Sequence, residues 1–339
     1  MQKRLLISLT VCLLLISIII GGCTNMQSKT TTAIKSYPDK PITVIVPFSA
    51  GGGLDLLARS LEKMAPKYLG QPLVVVNKPG GAGTIGWNEL VNADPDGYTL
   101  GISAVDVLIQ SLYGSTKYHY STALDPIAQV TTQSFVMVVP ADQPWQDVAS
   151  LINYAKQYPG QLKFGNVGIG SPAHIIGEAF AKAADISLEQ VPFRGGSEVA
   201  IGLLGNHIQI GVVPPATVKE QIKAGTLRAL ATTGEQRITD PDLAQIPTFR
   251  EQGFDIVLTN WYGVAAPKDL PPEVKTKLEE GFKSMIADPE FKTNIESLGL
   301  QLDYLNSEDS KGKWRSDSDK LAKGIQETGI LEQIKAQKN

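Results

Sequence analysis

The apolar positions of the chain fall into three regimes along its length. From Leu5 to Ile20 no residue is charged, and Lys3 and Arg4 stand just ahead of the run. From Ile42 onward, short β-branched runs alternate with stretches whose apolar residues recur every three or four positions, as strands alternating with amphipathic helices do. Ile42–Pro47 predicts a strand, and the spacing of Leu54, Leu57, Ala58, Leu61 and Ala65 predicts a helix that Pro66 and Gly70 are expected to close. Leu73–Val76 and Tyr98–Ser103 predict two more strands, separated by a short helix around Trp87–Val91 and the turn Asp94-Pro-Asp-Gly97. Phe135–Pro140 is apolar and β-branched, Trp145–Tyr158 is helical, and Leu162–Val167 is again a strand. Ser171 and Pro172 suit the N-cap and first turn of a helix reaching Asp185; Gln190–Phe193 then leads to a helix from Ser197. Ile208–Val213 and Leu227–Thr232 complete the strands of this regime. After Trp261–Ala266 the pattern becomes one of charged helices, Pro272–Ile286, Pro289–Leu298 and Ser307–Thr328, expected on the outside. Strand and helix alternating in this way predict an α/β fold with mostly parallel strands.

The first apolar run is a secretory signal, too short for a comfortable membrane span and ending at Ile20-Gly21-Gly22-Cys23. That junction resembles a bacterial lipobox. The resemblance implies that residues 1–22 are a signal peptide, that Cys23 is the lipid attachment point, and that residues 23–36 form the lipidated N-terminus and a polar tether. The protein would then sit at the outer face of the cell membrane, and the anchor suggests an organism with no outer membrane to retain it. The other cysteine, Cys12, lies in the segment to be removed, so no disulfide or thiol chemistry is expected of the folded part. Loss of Lys3 and Arg4 takes the formal net charge from −3 to −5 (−3 − 2), with no basic block to meet a phosphate backbone. Nucleic-acid binding is not expected. About 300 residues remain, more naturally two domains than one.

Two strand-to-helix loops share a build that points to anion binding. Gly51, Gly52 and Gly53 precede the first helix, and Gly168, Gly170 and Ser171 precede a later one. Small residues there let the backbone approach a ligand, while the helix start directs unpaired amides and its positive dipole end at the same spot. A carboxylate is the small anion such loops would hold, unless the glycines only make tight turns. Enzyme readings are weaker. Gly81-Ala-Gly83-Thr-Ile-Gly86 matches a dinucleotide fingerprint in letters, but Asn77–Gly80 separate it from its strand. Ser171 with His174 lacks a nucleophile elbow and an orienting acid, and His119, His174 and His207 are too scattered for a metal motif.

Tyr37-Pro-x-Lys-Pro-Ile-x-x-Ile-Val-Pro-Phe-x-x-Gly-Gly-Gly-x-Asp55 resembles the opening of the tripartite tricarboxylate transporter solute receptors, also called Bug-type receptors. The resemblance continues through Leu69-Gly-Gln-Pro-Leu-Val-Val-Val-Asn-Lys-Pro-Gly-Gly-Ala-Gly83, Pro95-Asp-Gly-Tyr-Thr-Leu100 and Tyr158-Pro-Gly-Gln-Leu162. It recurs in Val191-Pro-Phe-Arg-Gly195, Ala224-Gly-Thr-Leu-Arg-Ala-Leu-Ala231 and Ala287-Asp-Pro-Glu-Phe291, and so spans about Tyr37 to Ile330.

The resemblance implies a two-lobed periplasmic-binding-protein fold, type II-like, with a ligand cleft between the lobes. Lobe one would be residues 41–138 plus 260–339, and lobe two residues 139–259. It also implies a monomeric receptor that closes on a small organic carboxylate and delivers it to a membrane permease, without cofactor or metal and without catalysis. A receptor that signals to a sensor kinase, or an extracytoplasmic hydrolase, are the alternatives. Carried onto this sequence, the resemblance nominates Phe48, Ser49, Ala50, Gly51, Gly52 and Asp55 in lobe one as ligand-binding, and Gly168, Ser171 and His174 in lobe two. Arg194 is added because a guanidinium can grip a carboxylate in a bidentate pair; a solvated or lobe-bridging arginine is the alternative. His174 could instead hold the loop, and Asp55, which would repel an anion, is more suited to bracing the loop at the helix start. Leu54 stands where the family often has Thr or Ser, and Val213-Pro-Pro215 replaces a usually polar run. Both departures point to a monocarboxylate or a partly apolar dicarboxylate rather than a highly charged tricarboxylate. A valine at Gly52 is expected to block binding by filling the space where backbone meets ligand.

Overall fold

The structure, a computed structural model, describes residues 37–113 and 116–328. The expected signal segment, Cys23 and the tether lie outside the described residues. In chain order, β1 (Ile42–Val46), α1 (Gly53–Leu69), β2 (Leu73–Asn77), α2 (Thr84–Val91), β3 (Thr99–Ala104), α3 (Asp106–Leu112) and β4 (Leu124–Ser134) belong to a first lobe. The second lobe takes β5 (Val136–Pro140), α4 (Val148–Gln157), β6 (Lys163–Asn166), α5 (Pro172–Ala184), β7 (Glu189–Pro192) and α6 (Gly196–Leu204). It is completed by β8 (Ile210–Val213), α7 (Pro215–Lys223) and β9 (Leu227–Thr232). The chain then returns to the first lobe as β10 (Thr259–Pro267), α8 (Pro272–Ile286), α9 (Pro289–Ser297), β11 (Gln301–Leu305) and α10 (Ser307–Thr328).

Each lobe is built on one sheet, ordered β11-β4-β10-β3-β1-β2 in the first and β7-β6-β8-β5-β9 in the second. The sheets are mixed rather than mostly parallel. β1 pairs in parallel with β2 and β3, and β6 with β7 and β8, as expected of strand–helix–strand crossovers. The strands that carry the chain between lobes, β4, β5 and β10, pair antiparallel with their neighbours because the chain leaves along one and comes back along another. β5 is apolar throughout because its sheet is covered on both faces: Met137 and Val139 enter one core, Val136 and Val138 the other.

The passage between lobes comes earlier than expected. Val136–Val138, assigned from sequence to lobe one, pair with β8 in the second sheet, so the chain changes sheet at Phe135. A strand that runs from one sheet straight into the next carries no turn residue to mark the switch. The return passage lies alongside. Phe135 N donates to Thr233 Oγ1 (2.9 Å) and Thr233 Oγ1 donates to Leu258 O (2.7 Å), so Thr233 ties both crossing segments together.

Two further expectations need adjustment. α1 runs through Pro66 and ends at Gly70, the second of the two residues expected to close it, with packing on α8 and the sheet outweighing the one backbone bond lost at the proline. β11, which is half-buried at the sheet edge, carried no recognisable strand pattern.

Asp288 shows how the charged C-terminal helices are held. Its Oδ1 caps α9 by accepting from Glu290 N (2.8 Å), and its Oδ2 accepts from Lys67 Nζ (2.7 Å) and from the Tyr68 hydroxyl at the end of α1. Lys67 and Tyr68 hold this carboxyl well below the usual carboxylate range. A depressed folded value means the stabilisation is fully present above the ordinary value of 3.8 and is lost as pH falls below it. Asp288→Ala is therefore expected to lower the melting temperature by a few degrees at neutral pH, with the gap to wild type narrowing below about pH 4. Melting curves across pH check this; a gap that stays constant down to acid would contradict it.

Candidate functional site

The first glycine loop is locked by one carboxylate. Asp55 is 2% exposed; its Oδ2 accepts from Gly51 N (2.9 Å) and pairs with Arg59 Nε (2.9 Å), and its Oδ1 accepts from Asn77 Nδ2 (3.0 Å). Asn77 Nδ2 also donates to Phe48 O (3.1 Å), tying the end of β2 to the loop. Gly51 has φ +79°, a left-handed turn that glycine adopts without a Cβ penalty. This fixes the start of α1, whose N-cap Gly52 offers no side-chain cap, so the first amides of the helix remain available.

Opposite stands a loop that the sequence assigned a smaller part. Arg194-Gly195-Gly196 leads into α6, which also begins without a side-chain cap. The two helix starts come from different lobes and touch: Ser49 Oγ lies 3.0 Å from Ser197 Oγ, Ser197 Oγ donates to Ala50 O (2.7 Å), and Ser49 N donates to Arg194 O (3.4 Å). A Cβ on Gly195 would come within 2.2 Å of Ser49 Oγ and 2.8 Å of Ser49 N, so this closeness depends on the glycine.

The second predicted loop closes the lobes rather than facing the centre of the cleft. A Cβ on Gly168 would meet Ala82 (3.1 Å), and one on Gly170 would meet the ring of Tyr113 (2.4 Å), both in lobe one. Gln110 Nε2 donates to Gly170 O (2.9 Å) across the same interface. Ser171 is buried and caps α5 through His174 N (3.3 Å). His174 is buried in lobe two, its Nδ1 accepting from Gly170 N (3.4 Å) and its Nε2 lying 3.7 Å from Glu178. Gly81–Gly83, the start of the dinucleotide-like motif, forms the turn that bears Ala82, so it serves this interface.

Between these contacts lies a narrow cleft with a cavity of about 40 Å³. Of the predicted residues, Phe48, Ser49, Gly52 and Asp55 line it. Ala50 and Gly51 stand behind them in the loop, while Gly168, Ser171 and His174 support the wall formed by Val167, Pro172 and Ala173. Arg194 is exposed, and what it contributes across the cleft is its backbone carbonyl. Leu54, Phe135, Val212 and Pro214 make much of the lining apolar, so both departures, Leu54 and Pro214, do face the cleft.

Four polar side chains that line the cleft escaped the sequence reading. Asn260 and Tyr262 come from β10, Thr217 from the first turn of α7, and Asp106 from the start of α3. The Thr217 hydroxyl is buried without a protein partner, and that of Tyr262, buried beside Gln133, makes no hydrogen bond of good geometry; both are in the condition of groups that a ligand or water satisfies. Burial and the nearby charge of Asp106 push the Tyr262 phenol well up, so it stays a donor. Burial also pushes the Asp106 carboxyl up, to about 7. Asp106 had a visible signal, a lone acid inside the apolar run Leu100–Leu112. Asn260, Tyr262 and Thr217 had none, because which strand end and which helix start reach the cleft is a matter of topology.

Among the described residues lining the cleft there is no lysine, arginine or histidine. Donors available to it include amides at two helix starts, the hydroxyls of Ser49, Thr217 and Tyr262 and the Asn260 side chain, a set suited to a small anion. Among the described residues, no group of three or more His, Cys, Asp or Glu is placed to hold a metal ion, and no helix is long and apolar enough to cross a membrane.

Comparison with known proteins agrees with this architecture. The chain superposes on the periplasmic binding protein BugD with a TM-score of 0.82 at 30% identity, covering 87% of this chain and 99% of that one. It superposes on a Rhodopseudomonas palustris protein solved with adipate with a TM-score of 0.80 at 25% identity, covering 86% and 98%. A UPF0065 protein from the gbd 5′ region of Cupriavidus necator is 33% identical over 274 residues, 80% of this chain and 82% of the relative. The fold is thus the two-lobed periplasmic-binding-protein fold, in its α/β form with mixed sheets. Residues 57–330 match the family model of the tripartite tricarboxylate transporter family receptor, and the chain belongs to that family of solute-binding receptors.

Proposed function

We propose that this receptor captures a small organic carboxylate by closing its two lobes and delivers it to a membrane permease of the tripartite tricarboxylate type, making and breaking no bond. The observation that carries the reading is the pair of uncapped helix starts, α1 and α6, which approach each other from opposite lobes across a cleft without a cationic side chain. Helix-start amides bind a carboxylate without a counter-charge, and a ligand touching both lobes favours the closed form over the open one. The bound adipate of the Rhodopseudomonas palustris relative supports the same ligand class. In this reading Phe48, Ser49 and Gly52 with Gly196 form the anion end, Tyr262 and Thr217 donate from the sides, and the apolar wall takes a hydrocarbon segment. Phe135 and Thr233 mark the hinge, with lobe two running from about Val136 to Leu258. Export, cleavage before Cys23 and lipid attachment there would hold the receptor beside its permease at the outer face of the membrane.

A thermal-shift panel of small mono- and dicarboxylates tests the ligand class. A ligand at 100 times its dissociation constant adds about 2.7 kcal/mol of stability, which a melting curve reads easily. Shifts with sugars or simple amines, and none with any carboxylate, would overturn it.

A further inference from the structure

Asp106 is a buried acid that a carboxylate at the helix starts must meet. It is 4% exposed and lines the same cavity as Ser49, Gly52 and Gly53 at the start of α1. Tyr262 stands beside both: a Cβ on Gly53 would lie 2.7 Å from its hydroxyl, and the charge of Asp106 acts on its phenol. At about 40 Å³ the cavity holds roughly three water-sized groups, so a carboxylate drawn to the helix start comes to rest beside Asp106 as well. Among the described residues no cation pairs with Asp106, and beyond its own backbone amide none supplies it a hydrogen bond. The titratable groups on the elements packed around it offer no counter-charge. Tyr113 after α3, Tyr262 on β10 and Tyr120 before β4 are held protonated by burial. Asp55 on α1 is committed to Gly51, Arg59 and Asn77, and His174 on α5 lies beside Glu178. On α10, Lys313 pairs with Asp317 at 2.8 Å, and Lys320 is exposed.

Two carboxylates in contact, buried and without a cation between them, cannot both stay ionised, and one of the pair holds a proton. From this placement we propose that the receptor takes up its carboxylate together with one proton, which the Asp106 carboxyl carries and directs at the bound anion as a hydrogen bond. The inference deepens the carboxylate reading and rests on it. The proton comes from solvent, and no bond between heavy atoms changes. Asp106 is thereby a further ligand-binding residue, acting in its neutral form as a donor beside Tyr262 and the helix-start amides. Burial already pushes its carboxyl up to about 7 without ligand, and an adjacent anion pushes it further in the same direction. Between those two values the free receptor has lost the proton and the complex keeps it. Affinity is therefore level below about pH 6 and falls above about pH 7, by up to about 10-fold per pH unit.

Calorimetric titration of the full chain with butanoate, glutarate and adipate at about pH 6 and about pH 8, each in two buffers of unlike ionisation enthalpy, tests this. A carboxylate that binds is expected to bring close to one proton with it at the higher pH and little at the lower, and to bind about 10-fold more weakly at the higher. Asp106→Asn keeps a donor of nearly the same shape and cannot titrate. It should bind equally at both, and about 10-fold more tightly than wild type at the higher pH. A wild-type affinity that stays level, release of a proton on binding, or a pH dependence that survives Asp106→Asn overturns the proposal while the carboxylate reading stands. A blank with all three probes overturns the proposal too, and the thermal-shift panel then decides the carboxylate reading on its own. If the variant fails to fold, the infrared difference spectrum of wild type on binding at the higher pH decides. Gain of a protonated carboxyl C=O band supports the proposal, and its absence overturns it, since uptake of a proton by His174 would give no such band.

Discussion

An alanine at Gly195 is expected to cost the receptor about 100-fold or more in ligand affinity while leaving its melting temperature without ligand nearly unchanged. The reason is geometric. The new Cβ would lie 2.2 Å from Ser49 Oγ, 2.8 Å from Ser49 N and 3.2 Å from Ser49 Cβ, all in the opposite lobe. Ser49 Oγ can rotate away, but the backbone nitrogen is fixed by a loop that Asp55 and Asn77 hold. The backbone at Gly195 has φ 178°, extended and comfortable for alanine, so no strain arises within lobe two itself. The substitution therefore acts on the closed form alone. A penalty of about 2.7 kcal/mol on closure, modest for overpacking against backbone, is the 100-fold loss. Titration with any ligand the panel identifies, and small-angle scattering with and without it, read the two quantities separately. Unchanged affinity in Gly195→Ala would show that binding does not need the α1 and α6 starts to meet. Gly52 makes the contrast. A Cβ there meets Ser49 O at 3.5 Å and Gly196 N at 3.9 Å, ordinary contacts, so Gly52→Ala should be mild and only a larger side chain such as valine reaches into the cleft.

Removing the indole of Trp87 is expected to destabilise the protein by about 3–5 kcal/mol, lowering the melting temperature by on the order of 10 °C. Trp87 is 1% exposed at the heart of lobe one. It packs edge-on against Phe48 at 6.1 Å and against Tyr120 at 5.7 Å, and its Nε1 donates to Ile102 O at 3.3 Å. It also lies directly beneath Gly83, where a Cβ would come within 2.5 Å of the ring. One side chain thus backs both the Phe48 loop and the turn that bears Ala82 at the lobe interface. Trp87→Ala should lower affinity as well as stability, because Phe48 loses its support, whereas Trp87→Phe should recover most of both. Calorimetric melting decides; a shift of less than about 2 °C in Trp87→Ala would mean that the cavity collapses without strain and that the loop does not depend on the ring.

The parts of this protein legible in the sequence are those that local chemistry dictates. Glycines before a helical stripe announced the loop at Gly51–Gly53, and Ser171-Pro172 announced the start of α5 because capping and proline φ act within a few residues. The helix from Pro272 was readable to its end, and the one from Ser307 at its start. The two-lobed plan was legible through resemblance to a family, since the motifs recur in order along nearly the whole folded chain.

Tertiary structure decided how those pieces are used. The glycines at 168 and 170 carry the signature of an anion loop, yet what they make room for is Ala82 and Tyr113 of the other lobe, residues some 60 to 90 positions away. His174 followed Ser171 at a spacing that suited a ligand contact, but the burial of α5 turned it into the lobe interior. Arg194 offered a guanidinium to the eye, and the fold uses its carbonyl. Asp106, Thr217, Asn260 and Tyr262 converge only because β10 returns from lobe two to pair between β3 and β4, and because α7 starts at the same cleft. Sequence by itself determined most of the strands and helices, though not β4, α3 or β11, and where backbone amides are left open, because those depend on neighbours along the chain. Which of those openings face a ligand and which face the other lobe was settled by packing between residues far apart in sequence, for which no local pattern exists.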